Sequence, residues 1–197
     1  MCTRVVPTPV GVNRDMPLIG AETFLQACHT FRAVWFRGRY GGGKTLLSVH
    51  VGKLLHRRWK YQLFTNIQAA EYVRVAQDGS THLPEHSLIV YDEGWMSLGM
   101  GAKTKDIRAY MAYLRKVDYV LLIPSVLDLS PYGYLVWCER SLNLGPIGLP
   151  LWVYEWGLRG KGKKESGGSF FFLFPGREFG TYDTMSQPYD LTRLFEV

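Results

Sequence analysis

The sequence predicts an α/β fold with a mostly parallel sheet flanked by helices on both faces. Three observations support this prediction. Apolar, β-prone stretches alternate with helical periodicity between residues 31 and 124, a glycine-rich stretch lies at the first strand-to-helix junction, and a later strand ends in Asp-Glu. Such alternation is typical of parallel strands connected by helices. With 197 residues and no evident linker, we expect one domain.

The expected elements follow in chain order. Residues 1–20 are rich in Pro, Val and Gly and predict an extended N-terminal arm, and a short helix follows over 21–30. The predicted core, residues 31–140, comprises strand 31–37, loop 38–45, helix 45–57, strand 61–65, helix 68–77, strand 87–92, helix 104–116 and strand 118–124. Residues 149–175 contain two strand-like stretches that predict an appended β-hairpin, joined by a flexible, basic connection over Arg159–Gly168.

The loop over residues 38–45 reads Gly-Arg-Tyr-Gly-Gly-Gly-Lys-Thr and matches the phosphate-binding P-loop, or Walker A motif. Its glycines let backbone N–H groups turn toward phosphates, its lysine reaches the β- and γ-phosphates, and its threonine hydroxyl ligates Mg²⁺. The following helix contributes the positive end of its dipole. The predicted ATP-binding residues are Gly38, Arg39, Tyr40, Gly41, Gly42, Gly43, Lys44, Thr45 and Leu46.

A second motif ends the strand predicted over 87–92. Its Asp92 has the position of a Walker B aspartate, which would hold Mg²⁺ together with Thr45, and Glu93 would polarise the attacking water as general base. An acidic residue at this point distinguishes the additional-strand, catalytic-glutamate class of P-loop ATPases from most small GTPases and nucleotide kinases. The later strands also lack the N-K-x-D motif that reads guanine. We therefore predict an ATPase that uses ATP and Mg²⁺, with Lys44 and Glu93 as catalytic residues.

Three further residues have two open interpretations each. Ser125 ends the strand predicted over 118–124 and is either a sensor of the γ-phosphate or a cap of the next turn. Arg115 and Arg140 are each either an arginine that stabilises transition-state charge at a neighbouring subunit's nucleotide, or an ordinary ion-paired surface arginine.

Composition narrows the function classes. The net charge of +6 and the pI near 9.2 are compatible with a nucleic-acid partner. Three widely spaced cysteines without a C-x-x-C pair suggest neither a disulfide framework nor a zinc site. The sequence has no secretory signal and no uncharged apolar run of about 18 residues, so we expect a soluble, intracellular protein without a transmembrane segment.

The order of these pieces resembles the FtsK and HerA translocase superfamily. The matching stretches are Gly38–Thr45, Leu63–Ile67, Ile89–Glu93, Tyr113–Lys116 and Leu121–Ser125. Within that superfamily, the compact size and the Thr65-Asn66-Ile67 sequence are similar to Zot-like phage assembly ATPases and to the small genome-packaging ATPases of membrane-containing icosahedral viruses. The resemblance covers about residues 31–140.

The resemblance implies a homo-oligomeric ring of five or six subunits with nucleotides between subunits. Arg115 or Arg140 would act in trans, and loops near 94–106 or 159–168 would face double-stranded DNA in a basic lumen. It implies a genome-packaging motor in the host cytoplasm or at a packaging vertex of the virion, with a capsid or portal protein as a further partner. Unlike Zot proteins, the chain has no transmembrane segment after the core, which favours packaging into a preformed capsid over extrusion.

Two alternatives remain. One is a Zot-like ATPase that drives phage assembly or extrusion by acting on protein partners at a membrane. The other is a small-molecule phosphotransferase such as a nucleoside kinase, which shares the loop and the size. The kinase interpretation is the weaker, since such an enzyme has no use for Glu93 as a water-activating base.

Overall fold

The computed structural model describes residues 18–76, 83–93, 113–114, 116–126, 135–160 and 163–173, together with residues 175, 180 and 183. The described helices are α1 (Glu22–Phe31), α2 (Lys44–Trp59) and a 3₁₀ helix (Gly145–Ile147). The described strands are β1 (Leu18–Ile19), β2 (Ala33–Arg37), β3 (Gln62–Thr65), β4 (Val73–Arg74), β5 (Ser87–Val90), β6 (Val120–Ser125), β7 (Leu135–Asn143), β8 (Leu151–Gly160) and β9 (Lys163–Leu173). No helix in these ranges is long and apolar enough to cross a membrane.

All of these strands belong to one mixed sheet, in the order β1-β9-β8-β7-β2-β6-β5-β3-β4. Neighbouring strands from β7 to β4 run parallel, whereas β8, β9 and β1 extend the sheet by antiparallel pairing. The predicted α/β fold with a mostly parallel sheet is confirmed. Because β6 lies between β2 and β5, the carboxyl ends of these three parallel strands lie side by side.

Apolar residues cover both faces of the sheet. Successive residues of a strand point to opposite sides, so one strand contributes side chains to both cores. In β2, Val34 and Phe36 belong to the core beneath α1 and α2, whereas Ala33 and Trp35 belong to the core of the opposite face. The two helices contribute Phe24, Leu25, Leu47, Val49, Val51 and Leu55 to the first core. Leu114, from a short helical stretch, packs into the second. Helix α2 is therefore anchored firmly on one face, and its N-terminus is held at the carboxyl edge of the sheet.

The C-terminal hairpin forms as predicted, but its flexible connection does not. Pairing between β8 and β9 continues to Gly160 opposite Lys163, so that most of the segment predicted to be flexible is strand. The glycines there provide room for side chains: a Cβ atom on Gly167 would lie 2.6 Å from Cζ3 of Trp156. At the other end of β9, Phe172 is buried opposite Leu18 of β1, so the predicted N-terminal arm ends in a strand.

The prediction of a helix over residues 68–77 is wrong for residues 68–76, the part that the structure describes. This part contains β4, which pairs parallel with β3. The backbone of Glu71 has a φ of 71°, a left-handed conformation that interrupts a helix. The Tyr72 hydroxyl donates to the carbonyl oxygen of Val49 in α2 at 2.7 Å, and the Val75 N–H donates to that of Thr65 at 3.0 Å. Contacts with distant segments therefore override the local helical pattern.

The other predicted boundaries shift by a few residues. Helix α1 continues to Phe31, so β2 begins two residues later than predicted, and α2 extends from residue 44 to residue 59. Strand β5 ends at Val90, which places Asp92 just beyond the strand rather than within it. Residues 1–17, almost all of the helix predicted over 104–116, and the loop predicted to face DNA near 94–106 lie outside the described residues.

Candidate functional site

The glycine-rich loop, residues 38–45, connects the carboxyl end of β2 to the first turn of α2. The Gly42 N–H donates to the Arg39 carbonyl oxygen at 3.1 Å, which closes a turn at the tip of the loop. Gly41 and Gly43 have φ angles of 68° and 76°, a left-handed conformation that costs glycine little. Helix α2 begins directly after Gly43. Its first backbone N–H groups have no partner within the helix, and together with the helix dipole they form an anion-binding terminus.

The loop also fits closely against its surroundings. A Cβ atom on Gly43 would lie 2.4 Å from Cζ3 of Trp152, and a Cβ atom on Gly42 would lie 2.7 Å from the Arg39 carbonyl oxygen. Real Cβ atoms essentially never approach heavy atoms so closely. Trp152 belongs to β8, so the appended hairpin forms one wall of the loop.

The hydroxyl of Thr45 joins the two predicted motifs. It donates a hydrogen bond to Oδ1 of Asp92 at 2.9 Å, which connects the first turn of α2 with the residue that follows β5. Strand β6 lies between β2 and β5, and the Glu93 N–H donates to the carbonyl oxygen of Pro124 in β6 at 3.3 Å. The structure thus brings Thr45, Asp92 and Glu93 to one edge of the sheet, as the sequence predicts.

Asn66, which follows β3, holds the backbone of Asp92 at both ends. Its side-chain amide donates to the Asp92 carbonyl oxygen at 2.9 Å, and its side-chain oxygen accepts from the Asp92 N–H at 2.9 Å. Asn66 is fully buried. In the sequence, Asn66 contributed only to a family resemblance and had no predicted role. A polar amide directly after a buried strand, at the same edge as Asp92, was the signal that could have found it.

Burial and charge together set the ionisation of the site. Burial is the main cause that raises the pKa of Asp92 from 3.8 to about 6, and the negative charge of Glu93 acts in the same direction. The hydrogen bond from Thr45 opposes this shift, as does the charge of Lys44. Burial lowers the pKa of Lys44, while Glu93 and Asp92 raise it. These four side chains are therefore coupled electrostatically.

Lys44 and the loop residues around it occupy an accessible position. The Lys44 ammonium donates to the Arg39 carbonyl oxygen at 2.9 Å and lies 5.6 Å from the ring centroid of Tyr40. The Tyr40 side chain is 76% exposed, so its ring is available to a ligand. Leu46, in contrast, is buried in the core beneath α2, and only its backbone is positioned to contact a bound molecule.

The three residues with open interpretations lie at different places. Ser125 is fully buried and pairs in register with Arg37, at the strand end that leads into the loop. The side chain of Arg115 lies outside the described residues. Arg140 lies on β7, with its guanidinium carbon 4.8 Å from the ring centroid of Trp152.

An ion pair between Arg37 and Glu139 lies at the same carboxyl edge, on the opposite face of the sheet. The Arg37 Nε donates to Oε2 of Glu139 at 2.6 Å, and the guanidinium carbon of Arg37 lies 4.9 Å from the ring centroid of Trp137. A cavity of about 460 Å³ lies beside this pair and the first residues of the loop, Gly38 to Tyr40. Glu139 had no predicted role, because its partner Arg37 is far away in the chain.

Neither a protein-family model nor a curated protein matches the chain. The functional conclusion therefore depends on the geometry of the site.

The oxygen atoms of Thr45 and Asp92 fit the requirements of Mg²⁺. Among the described residues, no group of three or more His, Cys, Asp and Glu side chains could hold a metal ion. Magnesium in nucleotide sites needs no such group, since it takes one or two protein oxygens and completes its octahedral shell with phosphate oxygens and water. The hydroxyl and carboxylate oxygens, 2.9 Å apart, meet that need.

The raised pKa of Asp92 predicts a characteristic pH dependence of stability. Because the folded-state pKa of about 6 lies above the unfolded value, the native state holds a proton that the unfolded state releases. The free energy of unfolding should therefore decrease, by about 2–3 kcal/mol from this group, as the pH rises from about 4 to about 6. Urea unfolding without nucleotide at several pH values measures it.

Asp92→Asn is the matched variant for this measurement, because its side-chain oxygen still accepts the hydrogen bond from Thr45. When the free energy of unfolding of the wild type is subtracted from that of the variant at each pH, the contributions of the other titrating groups cancel. We expect Asp92→Asn to be the more stable protein at pH 7 and to lose that advantage near pH 4. A constant difference across this pH range would contradict the raised pKa.

Proposed function

We propose that this chain is a P-loop ATPase of the additional-strand, catalytic-glutamate class, and that its ATP hydrolysis drives double-stranded DNA into a preformed viral capsid. One observation carries the nucleotide-hydrolysing part: the hydrogen bond from Thr45 to Asp92, which connects the residue after the loop lysine with the acidic pair after β5. A chance match to the loop motif gives no reason for these two residues to meet.

The strand order supports the same class. Strand β6 lies between β2, which leads into the loop, and β5, which leads into Asp92 and Glu93. A strand inserted between these two is the feature for which the additional-strand class is named. Ser125, the last residue of β6, lies between the strand that leads into the loop and the strand that leads into the acidic pair, which supports the proposal that it senses the γ-phosphate.

Each residue of the site has a different role in the proposed hydrolysis. The backbone N–H groups at the start of α2 and the Lys44 ammonium bind the phosphates, since both supply positive charge at the loop. Thr45 and Asp92 would hold Mg²⁺, which would neutralise negative charge on the phosphates. Glu93 accepts a proton from the attacking water as general base. Asn66 keeps the backbone of Asp92 in place through its two hydrogen bonds.

Charge and family resemblance support DNA as the substrate of the motor. The chain carries a net charge of +6, and proteins that neutralise DNA phosphates release counterions and gain binding free energy. The resemblance to packaging ATPases adds a homo-oligomeric ring of five or six subunits and a capsid or portal protein as partners. The host cytoplasm and the packaging vertex of the virion are the corresponding locations.

The test is ATP hydrolysis by the purified protein with and without duplex DNA, at low and at moderate salt. We expect DNA to stimulate turnover severalfold and DNA affinity to fall more than about tenfold between 50 and 200 mM salt. Lys44→Ala is the control that separates this turnover from contaminating ATPases.

Two results would revise the proposal in different ways. Turnover that is indifferent to DNA, in a protein that does not bind duplex DNA at low salt, would remove the DNA motor. An assembly ATPase that acts on protein partners at a membrane would then be the better hypothesis. Phosphate transfer to an added nucleoside, with no release of phosphate to water, would indicate a kinase instead.

A further inference from the structure

Trp152 contacts both Arg140 and the glycine-rich loop of the same chain. The guanidinium carbon of Arg140 lies 4.8 Å from the ring centroid of Trp152, within the range of a cation–π interaction. The same indole lies against Gly43, where a Cβ atom would come within 2.4 Å of Cζ3. Trp152 therefore touches both the Arg140 guanidinium and the glycine that precedes α2.

The register of the sheet explains why these residues meet. Val136 and Cys138 of β7 face the core beneath α2, and Arg140 follows them in the same alternation. Trp152 and Tyr154 of β8 face this side too, and Tyr154 pairs with Arg140. Arg140 therefore lies on the same side of the sheet as α2 and the loop, near the carboxyl end of the parallel strands.

Among the residues that the structure describes, no carboxylate is paired with the charge of Arg140. Arg140 is only partly exposed. Arg37, one strand away, does pair with Glu139. A partly buried guanidinium without a carboxylate favours an anionic ligand, since pairing offsets the cost of removing the charge from water.

We propose that Arg140 binds the phosphates of the nucleotide held by its own subunit, and that Trp152 is the positioning residue that holds its guanidinium there. This inference rests on the proposed ATPase function and narrows it: Arg140 acts in cis. The contact with Trp152, which itself lies against Gly43, keeps the side chain beside its own loop, whereas an arginine that acts in trans must extend away from its own site. The appended hairpin is then a working part of the nucleotide site.

Complementation between two inactive variants distinguishes cis from trans action. Lys44→Ala subunits keep Arg140 but cannot use their own nucleotide, and Arg140→Ala subunits keep Lys44. If Arg140 acts in cis, mixing the two variants restores no ATP turnover. If it acts in trans, Lys44→Ala subunits supply the arginine to their neighbours and turnover recovers, which would overturn the inference.

Nucleotide affinity provides a second measurement. Binding of a fluorescent ATP analogue should weaken about 10- to 100-fold in Arg140→Ala, as expected for the loss of a hydrogen-bonded charge pair. Arg140→Lys should recover only part of the affinity, because lysine is a point charge without the planar fork. Arg58→Ala is the matched control, since it removes an arginine that also stacks on a tryptophan, with its guanidinium carbon 4.5 Å from the ring centroid of Trp59, but lies in the last turn of α2, far from the loop. Unchanged affinity in Arg140→Ala would also overturn the inference.

The role of Trp152 is tested by substitutions in the wild type and in the Arg140→Ala variant. Trp152→Phe keeps an aromatic face for the guanidinium and should bind the analogue within a few-fold of wild type, while Trp152→Ala should lose most of the affinity that Arg140→Ala loses. If Trp152→Ala weakens binding by the same factor when Arg140 is already alanine, Trp152 does not act through Arg140. Failure of the wild type itself to bind nucleotide would instead refute the ATPase proposal.

Discussion

Replacing Glu93 by glutamine is expected to lower ATP turnover by about 10²- to 10⁴-fold, the usual contribution of a positioned general base. Glutamine has nearly the same shape but cannot accept the proton of the attacking water. Glu93 is well placed for this role, because it follows Asp92 directly and its backbone N–H donates a hydrogen bond to the carbonyl oxygen of Pro124. Its charge also reaches both Asp92 and Lys44.

Steady-state phosphate release and equilibrium binding of ATP, measured on the same preparation, test this expectation. Binding should remain within a few-fold of wild type, since the proposed site holds the phosphates through Lys44 and the loop rather than through Glu93. Glu155→Gln, which removes an exposed carboxylate of β8, is the control and should leave turnover unchanged. Turnover within about tenfold of wild type in Glu93→Gln would rule out Glu93 as the general base.

Replacing Gly43 by alanine is expected to cause the largest combined loss of stability and nucleotide binding in the loop. The φ of 76° is strained for any residue with a Cβ atom, and the new methyl group would overlap the Trp152 ring. Together these effects should lower the free energy of unfolding by about 2–4 kcal/mol. The loop must shift to relieve the overlap, so the N–H groups proposed to bind phosphate would move as well.

Gly41→Ala is the matched control for this prediction. Its φ of 68° is similar, but nothing lies within 4 Å of the added Cβ atom, so it should cost only about 1–2 kcal/mol. Urea unfolding of both variants measures the difference. In a Trp152→Ala background the excess cost of Gly43→Ala should largely disappear. Equal losses for the two glycine variants would show that Trp152 does not restrict the loop.

Local patterns were sufficient for much of the parallel core. The β2 strand, the glycine-rich loop and α2 were predicted within two residues, because each depends on short-range properties: β propensity, glycine spacing and a 3.6-residue apolar repeat. The two strands of the hairpin followed from the same reasoning. The helix prediction failed at residues 68–76 because Val73 and Val75 favour a strand while their neighbours favour a helix. Pairing with β3 decides between the two.

The sequence by itself determined the chemistry available to this protein: a glycine-rich loop ending in Lys44 and Thr45, and an acidic pair, Asp92 and Glu93, after a buried strand. Only the tertiary structure decided how these groups are arranged. The hydrogen bonds of Asn66 to Asp92, and the contact of Trp152 with the loop, join residues from separate strands. Local sequence patterns cannot specify such contacts, since they depend on the order and register in which distant strands pair.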